Sequence, residues 1–116
     1  MELGHVELFV RDPEASRRFY EGVLGFEVFA VQHGGKVLWL RCGGREILLR
    51  PGGNPAPAPS YTRGAAGLVL FTDDLPAAME RLRARGLSFE GDDGPGCPTF
   101  RDPDGNWWQL VNPAEA

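Results

Sequence analysis

Hydrophobic and polar residues alternate over residues 5–11, which is the period of a half-buried β-strand. Val6, Leu8 and Val10 share one side of this predicted strand and are uniformly apolar. The opposite side is mixed in character and carries His5, Glu7, Phe9 and Arg11. The apolar side is expected to face the core, and the mixed side is typical of a ligand-binding surface.

A helix is predicted directly after this strand. Asp12 can cap it, and Pro13 suits its first turn. Its apolar stripe is predicted to comprise Ala15, Phe19, Tyr20, Val23 and Leu24. Gly25 ends the pattern, as a glycine at a helix C-terminus does. Three further strands are predicted at about 26–32, 36–42 and 45–50, separated by His33-Gly34-Gly35 and by Gly43-Gly44.

The same order of signals returns later in the chain. HVELFVRD at 5–12 is answered by GLVLFTDD at 67–74, in which Leu68 and Leu70 take the buried parity and Asp73 or Asp74 can cap a second helix. The stripe of that helix is Leu75, Ala78, Met79 and Leu82, before Gly86. Short strands are predicted at about 87–90 and 98–101, followed by a DPDG turn at 102–105 and a last strand at 106–111.

This internal repeat predicts the domain organisation. A chain of 116 residues is long enough to bury roughly two thirds of its unfolded surface as one domain, which we expect to cover 1–116. Module one covers about 1–51, and module two covers about 67–113. Between them, about 52–66 is rich in Pro, Gly, Ala and Ser and lacks periodicity, so a linker is predicted there.

Composition excludes several classes of protein. A net charge of −4 and scattered arginines argue against nucleic-acid binding, and the single lysine, Lys36, indicates no function by itself. No apolar run approaches the roughly 20 residues that span a bilayer, and no signal peptide is recognised, so we expect no membrane partner and a cytoplasmic location. Cys42 and Cys97 are expected to be free thiols, because two unpatterned cysteines form no disulfide framework.

Two longer segments carry a family resemblance. HVELFVRDPEASRRFYEGVLGFEV at 5–28 and FRDPDGNWWQLVNP at 100–113 resemble the vicinal oxygen chelate superfamily, which includes glyoxalase I, extradiol dioxygenases, fosfomycin-resistance transferases and bleomycin-resistance proteins. The resemblance extends over essentially the whole chain. It implies an α+β fold in which two βαβββ modules form a curled mixed sheet around a cleft, and it implies a homodimer.

The resemblance also implies where metal ligands would lie. In metal-dependent members they come from the first and last strands of the modules, at positions that are His5, Leu48, Gly67 and Gln109 here. Leu48 and Gly67 have no donor atoms, so no metal or other cofactor is expected. If a metal were bound, His5, Glu7 and Gln109 would be its ligands, with Glu46 as a further carboxylate. The alternative interpretation pairs Glu7 and Glu46 with Arg11, Arg41 or Arg50 across the sheet.

The leading functional hypothesis is metal-independent binding and sequestration of a small aromatic molecule, as in bleomycin-resistance-type members. Whether the protein is an enzyme stays open, with non-catalytic binding favoured. The ligand is expected to contact His5, Glu7, Phe9, Phe29, Trp39, Leu48, Arg50, Phe71, Trp107 and Gln109. Tyr61 is a further candidate for stacking. The alternatives are a divalent-metal-dependent lyase, isomerase or dioxygenase that uses His5, and an interaction domain with a vestigial cleft.

Overall fold

A computed structural model describes residues 1–53 and 56–115. Backbone contacts divide the chain into two compact units, Met1–Asn54 and Pro55–Ala116, here called the N-terminal and C-terminal units. Each unit combines helix with a small mixed sheet, which confirms the predicted α+β class. The predicted linker at 52–66 includes residues 54 and 55, which lie outside the described residues.

The N-terminal unit has the predicted order of strand, helix and three strands. Its elements are β1 (Val6–Val10), α1 (Pro13–Arg17) with a π-turn (Arg18–Val23), β2 (Glu27–Gln32), β3 (Val37–Cys42) and β4 (Arg45–Pro51). They form a four-stranded sheet in the order β1-β4-β3-β2. β1 and β4 run parallel, whereas the other neighbouring strands are antiparallel.

The helix of this unit begins at the predicted cap and then widens. Asp12 Oδ1 accepts hydrogen bonds from the backbone N–H groups of Glu14 and Ala15, at 3.1 and 3.4 Å. Over Arg18–Val23 the helix takes the wider π form, and Tyr20 within this turn is fully buried. The predicted stripe is therefore wrong at Ala15, which is exposed, because the buried face begins with Pro13 and Ser16.

The C-terminal unit is a shorter version of the same arrangement. Its elements are β5 (Leu68–Phe71), α2 (Leu75–Ala84), β6 (Thr99–Arg101) and β7 (Trp107–Val111). The sheet order is β5-β7-β6, with β5 parallel to β7. Asp74 rather than Asp73 caps α2, since its Oδ1 accepts from the N–H of Ala77 at 3.1 Å.

One predicted strand of the C-terminal unit is absent from the described residues. At 87–90 the chain makes one ladder-like bond, from the N–H of Glu90 to the carbonyl of Thr99 at 2.7 Å. The pairing continues irregularly, since the N–H of Thr99 donates to the carbonyl of Gly91 at 3.1 Å and Asp92 forms an isolated bridge with Pro98. Gly91, Gly94 and Gly96 all have positive φ angles, so the segment does not form a regular strand. Within residues 56–115, this module has three strands instead of the predicted four.

The predicted core face is buried or half-buried in both units, but the opposite face is not uniformly exposed, since Leu48 and Trp107 are also buried. In the N-terminal unit Val10 and Leu49 are fully buried, and in the C-terminal unit Trp108 and Leu110 are 2% and 3% exposed. The opposite faces carry the residues predicted for ligand binding. No helix within residues 1–53 and 56–115 is both long and apolar enough to cross a membrane.

Candidate functional site

The parallel pairing of β1 with β4 places polar side chains of the two strands next to one another. Glu7 is aligned with Leu48, and Phe9 is aligned with Arg50. Glu7 is engaged through both of its oxygens: His5 Nε2 lies 3.0 Å from Oε2, and Arg50 Nη1 donates to Oε1 at 3.1 Å. The hydrogen bond with His5 and, to a smaller extent, the one with Arg50 hold the pKa of the Glu7 carboxyl below its usual range. Each oxygen of the Glu7 carboxylate therefore already has a hydrogen-bond partner.

Trp39 extends this polar group with an aromatic surface. It lies on β3 opposite Leu48 of β4, and its ring meets that of His5 edge-on, with centroids 4.8 Å apart. The Phe29 ring is tilted against Trp39 at 6.2 Å. Trp39 Nε1 donates to Gln32 Oε1 at 3.1 Å. Contacts on several sides therefore fix the orientation of the indole.

A pocket of about 460 Å³ lies beside Trp39 within the N-terminal unit. This volume falls inside the range of small-molecule sites, about 300–1,000 Å³. Its described lining residues are Gln32, His33, Lys36, Val37, Trp39, Leu48, Arg50 and Pro51. Three residues predicted to bind the ligand, Trp39, Leu48 and Arg50, are thereby brought to one pocket.

Sequence reasoning missed the part of the pocket that the turn between β2 and β3 provides. The sequence predicts Gln32 at the end of one strand, His33 in a turn and Lys36 at the start of the next strand, without a role in binding for any of them. A signal was present, because Gln32 and Val37 are aligned across the hairpin and Trp39 follows Val37 on the same face of β3. His33 itself has a φ of 52°, the only positive value among the described non-glycine residues.

Two other predicted residues of the N-terminal unit lie beside arginines. The Arg50 guanidinium is 5.8 Å from the centroid of the half-exposed Phe9 ring, and Arg41 lies 4.0 Å over the Phe29 ring. Arg41 also forms an ion pair with Glu46 at 3.7 Å. Pairing of Glu7 and Glu46 with arginines across the sheet is confirmed.

In the C-terminal unit, the Pro-rich segment packs against β7. Trp107 is 4% exposed, and its Nε1 donates to the carbonyl of Ala58 at 2.8 Å. Gln109 Nε2 donates to Tyr61 Oη at 2.9 Å, with a longer contact to Asp93 Oδ2 at 3.4 Å. Segment 56–61 therefore covers the face of β7 on which Trp107 and Gln109 were predicted to meet a ligand.

Tyr61 also occupies the space beside Gly67. A Cβ added at Gly67 would collide with the Tyr61 ring, so this position has no room for a larger side chain while the ring stays in place. Phe71, at the end of β5, is 74% exposed. It lines a different pocket, of about 540 Å³, together with Thr72 and Asp73.

The positions that the resemblance assigns to metal ligands do not match a site with three donors. Leu48 and Gly67 have no donor atoms, and Tyr61 fills the space at Gly67. Glu7, the carboxylate that could compensate, is bound by Arg50. Among the described residues, no group of three or more His, Cys, Asp and Glu side chains has the spacing to hold a metal ion.

Comparison with known families supports the fold and the repeat. The family model described as Glyoxalase/Bleomycin resistance protein/Dioxygenase superfamily matches residues 2–110. The chain belongs to this superfamily. The predicted resemblance is therefore confirmed.

Members of the superfamily with related sequences differ in what they do. The chain is 31% identical over 98 residues to "Catechol-2,3-dioxygenase" of Bacillus subtilis (strain 168), which covers 76% of this chain. It spans about a third (33%) of the length of that curated relative. TnmS3, an antibiotic binding protein from Streptomyces sp. CB03234, is 32% identical, with a TM-score of 0.70 and coverage of 97% of this chain and 98% of that one.

A third relative shares the fold at lower identity. Fosfomycin Resistance Protein FosX from Mesorhizobium loti is 21% identical, with a TM-score of 0.72 and coverage of 95% of this chain and 90% of its own. At this identity the likeness concerns the fold alone. The superfamily is therefore established, whereas the specific activity has to be argued from the residues of the site.

Proposed function

We propose that this protein binds and sequesters a small aromatic molecule without a metal ion and without transforming it. The observation that carries the proposal is the pocket beside Trp39, in which an oriented indole and the buried Leu48 provide an apolar wall. A flat wall with a few polar groups at its edge suits a planar guest. The 32% identity to an antibiotic binding protein over nearly the whole chain supports the same function.

Binding without a metal ion is supported by the hydrogen bonds that the candidate metal ligands already make. Glu7 is held by His5 and Arg50, and Gln109 is hydrogen-bonded to Tyr61. Recruiting these groups to an ion would require breaking bonds that they already make. Leu48, at another ligand position of metal-dependent members, contributes only apolar surface.

Fluorescence titration tests the binding proposal. Trp39 is the partly exposed tryptophan, whereas Trp107 and Trp108 are 4% and 2% exposed, so a stacked ligand should quench mainly Trp39. The probes are planar aromatic antibiotics and neutral naphthalene derivatives, with calorimetry as a second readout. Trp39→Leu should weaken binding about tenfold, and Phe89→Leu in the C-terminal unit serves as the control for loss of a ring.

Two further measurements test sequestration. Binding should be the same before and after treatment with a chelator, and mass spectrometry should recover the ligand chemically unchanged after long incubation. A stoichiometric metal that is lost in His5→Ala, or a product that accumulates with time, would refute the proposal. Either result would support the second candidate, a metal-dependent lyase, isomerase or dioxygenase, which the 31% identity to a catechol dioxygenase favours.

A further inference from the structure

The charged groups of the pocket beside Trp39 all have one sign. Among the described residues that line it, the ionisable side chains are His33, Lys36 and Arg50, and none is a carboxylate. The chain as a whole has a net charge of −4. The described lining of the pocket is therefore basic on an acidic protein, and Glu7, outside this lining, pairs with Arg50 at 3.1 Å.

Lys36 and Arg50 approach the pocket from two directions. Lys36 follows the turn between β2 and β3, and Arg50 lies near the end of β4. Both residues are exposed, whereas Trp39 is half-buried and Leu48 is buried, so we place the two cations at the rim of the pocket. An aromatic ring against Trp39 would thus place a substituent at its edge close to the two cations.

Arg50 keeps hydrogen-bonding capacity for a ligand. Its contact with Glu7 uses Nη1, and a guanidinium has five N–H donors in a planar fork. The bond to Glu7 orients the guanidinium in advance, which lowers the entropy lost when a ligand binds. A ligand carboxylate can accept from such a fork at two oxygens with charge assistance, whereas a carboxamide offers one uncharged oxygen and an ammonium group offers no acceptor.

We propose that the pocket selects aromatic carboxylic acids: the ring system packs against Trp39 and Leu48, and the carboxylate binds Arg50 and Lys36. This inference rests on the proposed binding function and specifies its ligand class. A cationic aromatic compound would place its charge beside Lys36 and Arg50, so it should be rejected. Neutral analogues should bind through ring contacts alone.

Three naphthalene probes of similar size test the charge preference: 2-naphthoate, 2-naphthamide and 2-naphthylmethylammonium. Calorimetry at neutral pH should show that the acid binds at least about tenfold more tightly than the amide, equivalent to about 1.4 kcal/mol. The ammonium compound should bind more weakly than the amide. The preference for the acid should decrease as salt is added, because the rim cations are exposed.

Variants assign the preference to the two residues. Lys36→Gln and Arg50→Gln should each weaken 2-naphthoate about fivefold and change 2-naphthamide less than twofold. Arg45→Gln is the matched control, since it removes the same charge from β4 outside the described pocket lining. Circular dichroism and thermal melting establish that each variant is folded.

The outcomes separate this inference from the function on which it rests. Equal affinities for the acid and the amide, or equal losses in Arg45→Gln and Arg50→Gln, would overturn the charge selection while leaving aromatic binding intact. Failure of all three probes and of the aromatic antibiotics would overturn the binding function itself.

Discussion

The Tyr61 ring lies so close to Gly67 that residue 67 has to be a glycine. Gly67→Ala should destabilise the protein by about 1 kcal/mol, the low end of overpacking penalties, because the new Cβ collides with the half-buried Tyr61 ring at an exposed backbone position. Denaturant unfolding measures this change. In a Tyr61→Ala background, which lacks the ring, Gly67→Ala should cost much less stability than it does in the wild-type protein.

Gly64→Ala is the control for that experiment. Gly64 has a negative φ, and a Cβ there would be 3.5 Å or more from its neighbours, so the change should be small. A Gly64→Ala loss as large as that of Gly67→Ala would contradict the steric explanation.

The lowered pKa of Glu7 predicts a pH dependence. A carboxyl whose pKa is lowered by folding stabilises the folded state above its unfolded pKa, and this contribution is lost as the pH falls through the folded pKa. Glu7→Gln should therefore reduce stability at neutral pH, with the difference from wild type disappearing in acid. NMR titration of the Glu7 carboxyl should show its pKa rising in His5→Ala and in Arg50→Gln.

At this scale the sequence predicted the surroundings of the site better than its details. Period-two alternation was enough to place His5, Glu7 and Arg50 on one face, and the ion pairs across the sheet followed from it. The sequence names Tyr61 as a candidate for stacking, but it could not place the Tyr61 ring beside Gly67, because that contact joins a segment without periodicity to a strand. Side-chain packing of that kind depends on tertiary structure.

The two helices depend on single capping residues at equivalent places in the repeat. Asp74→Ala should destabilise α2 by about 1 kcal/mol, since the N–H of Ala77 loses its acceptor. Asp73→Ala is a closely matched control and should change stability by less than half as much. Thermal unfolding of both variants measures the difference, and equal losses would show that the cap is not the cause.

Helix and strand positions were predictable wherever local signals agreed. The strands of the N-terminal unit lie within about two residues of their predicted bounds, since period-two patterns are delimited there by glycine turns. The strand predicted at 87–90 is wrong, because Leu87 and Phe89 alternate like strand residues, whereas the chain pairs with residues 98–99 only from Glu90 to Asp92. Whether this segment forms a strand depends on the strand that it can pair with, and not on the β-propensity of its residues alone.

For the whole molecule, we propose the homodimer that the resemblance implies. β5 is an edge strand of its sheet, and it exposes Val69 at 45% and Phe71 at 74%. Exposed apolar side chains at a sheet edge are characteristic of surfaces that pair with another chain. Phe71→Ser should therefore raise the dimer dissociation constant at least about tenfold, about 1.4 kcal/mol, as measured by light scattering.

Val31→Ser provides the comparison for the dimer. Val31 is 46% exposed on β2, the edge strand of the other sheet, but it is the sole exposed apolar side chain of that strand, whereas β5 exposes two, so its substitution should leave the association unchanged. A wild-type protein that stays monomeric at high concentration would refute the proposal.

The π-turn at Arg18–Val23 makes the helical segment of the first half one residue longer than that of the second half. The helical segment of the first half contains α1 with 5 residues and the π-turn with 6, whereas α2 contains 10. A wide turn of this kind accommodates one inserted residue without disturbing the cap before it or the glycine after it. The halves therefore align with a one-residue gap inside the helix, and deleting one residue there should restore an ordinary α-helix that matches its counterpart.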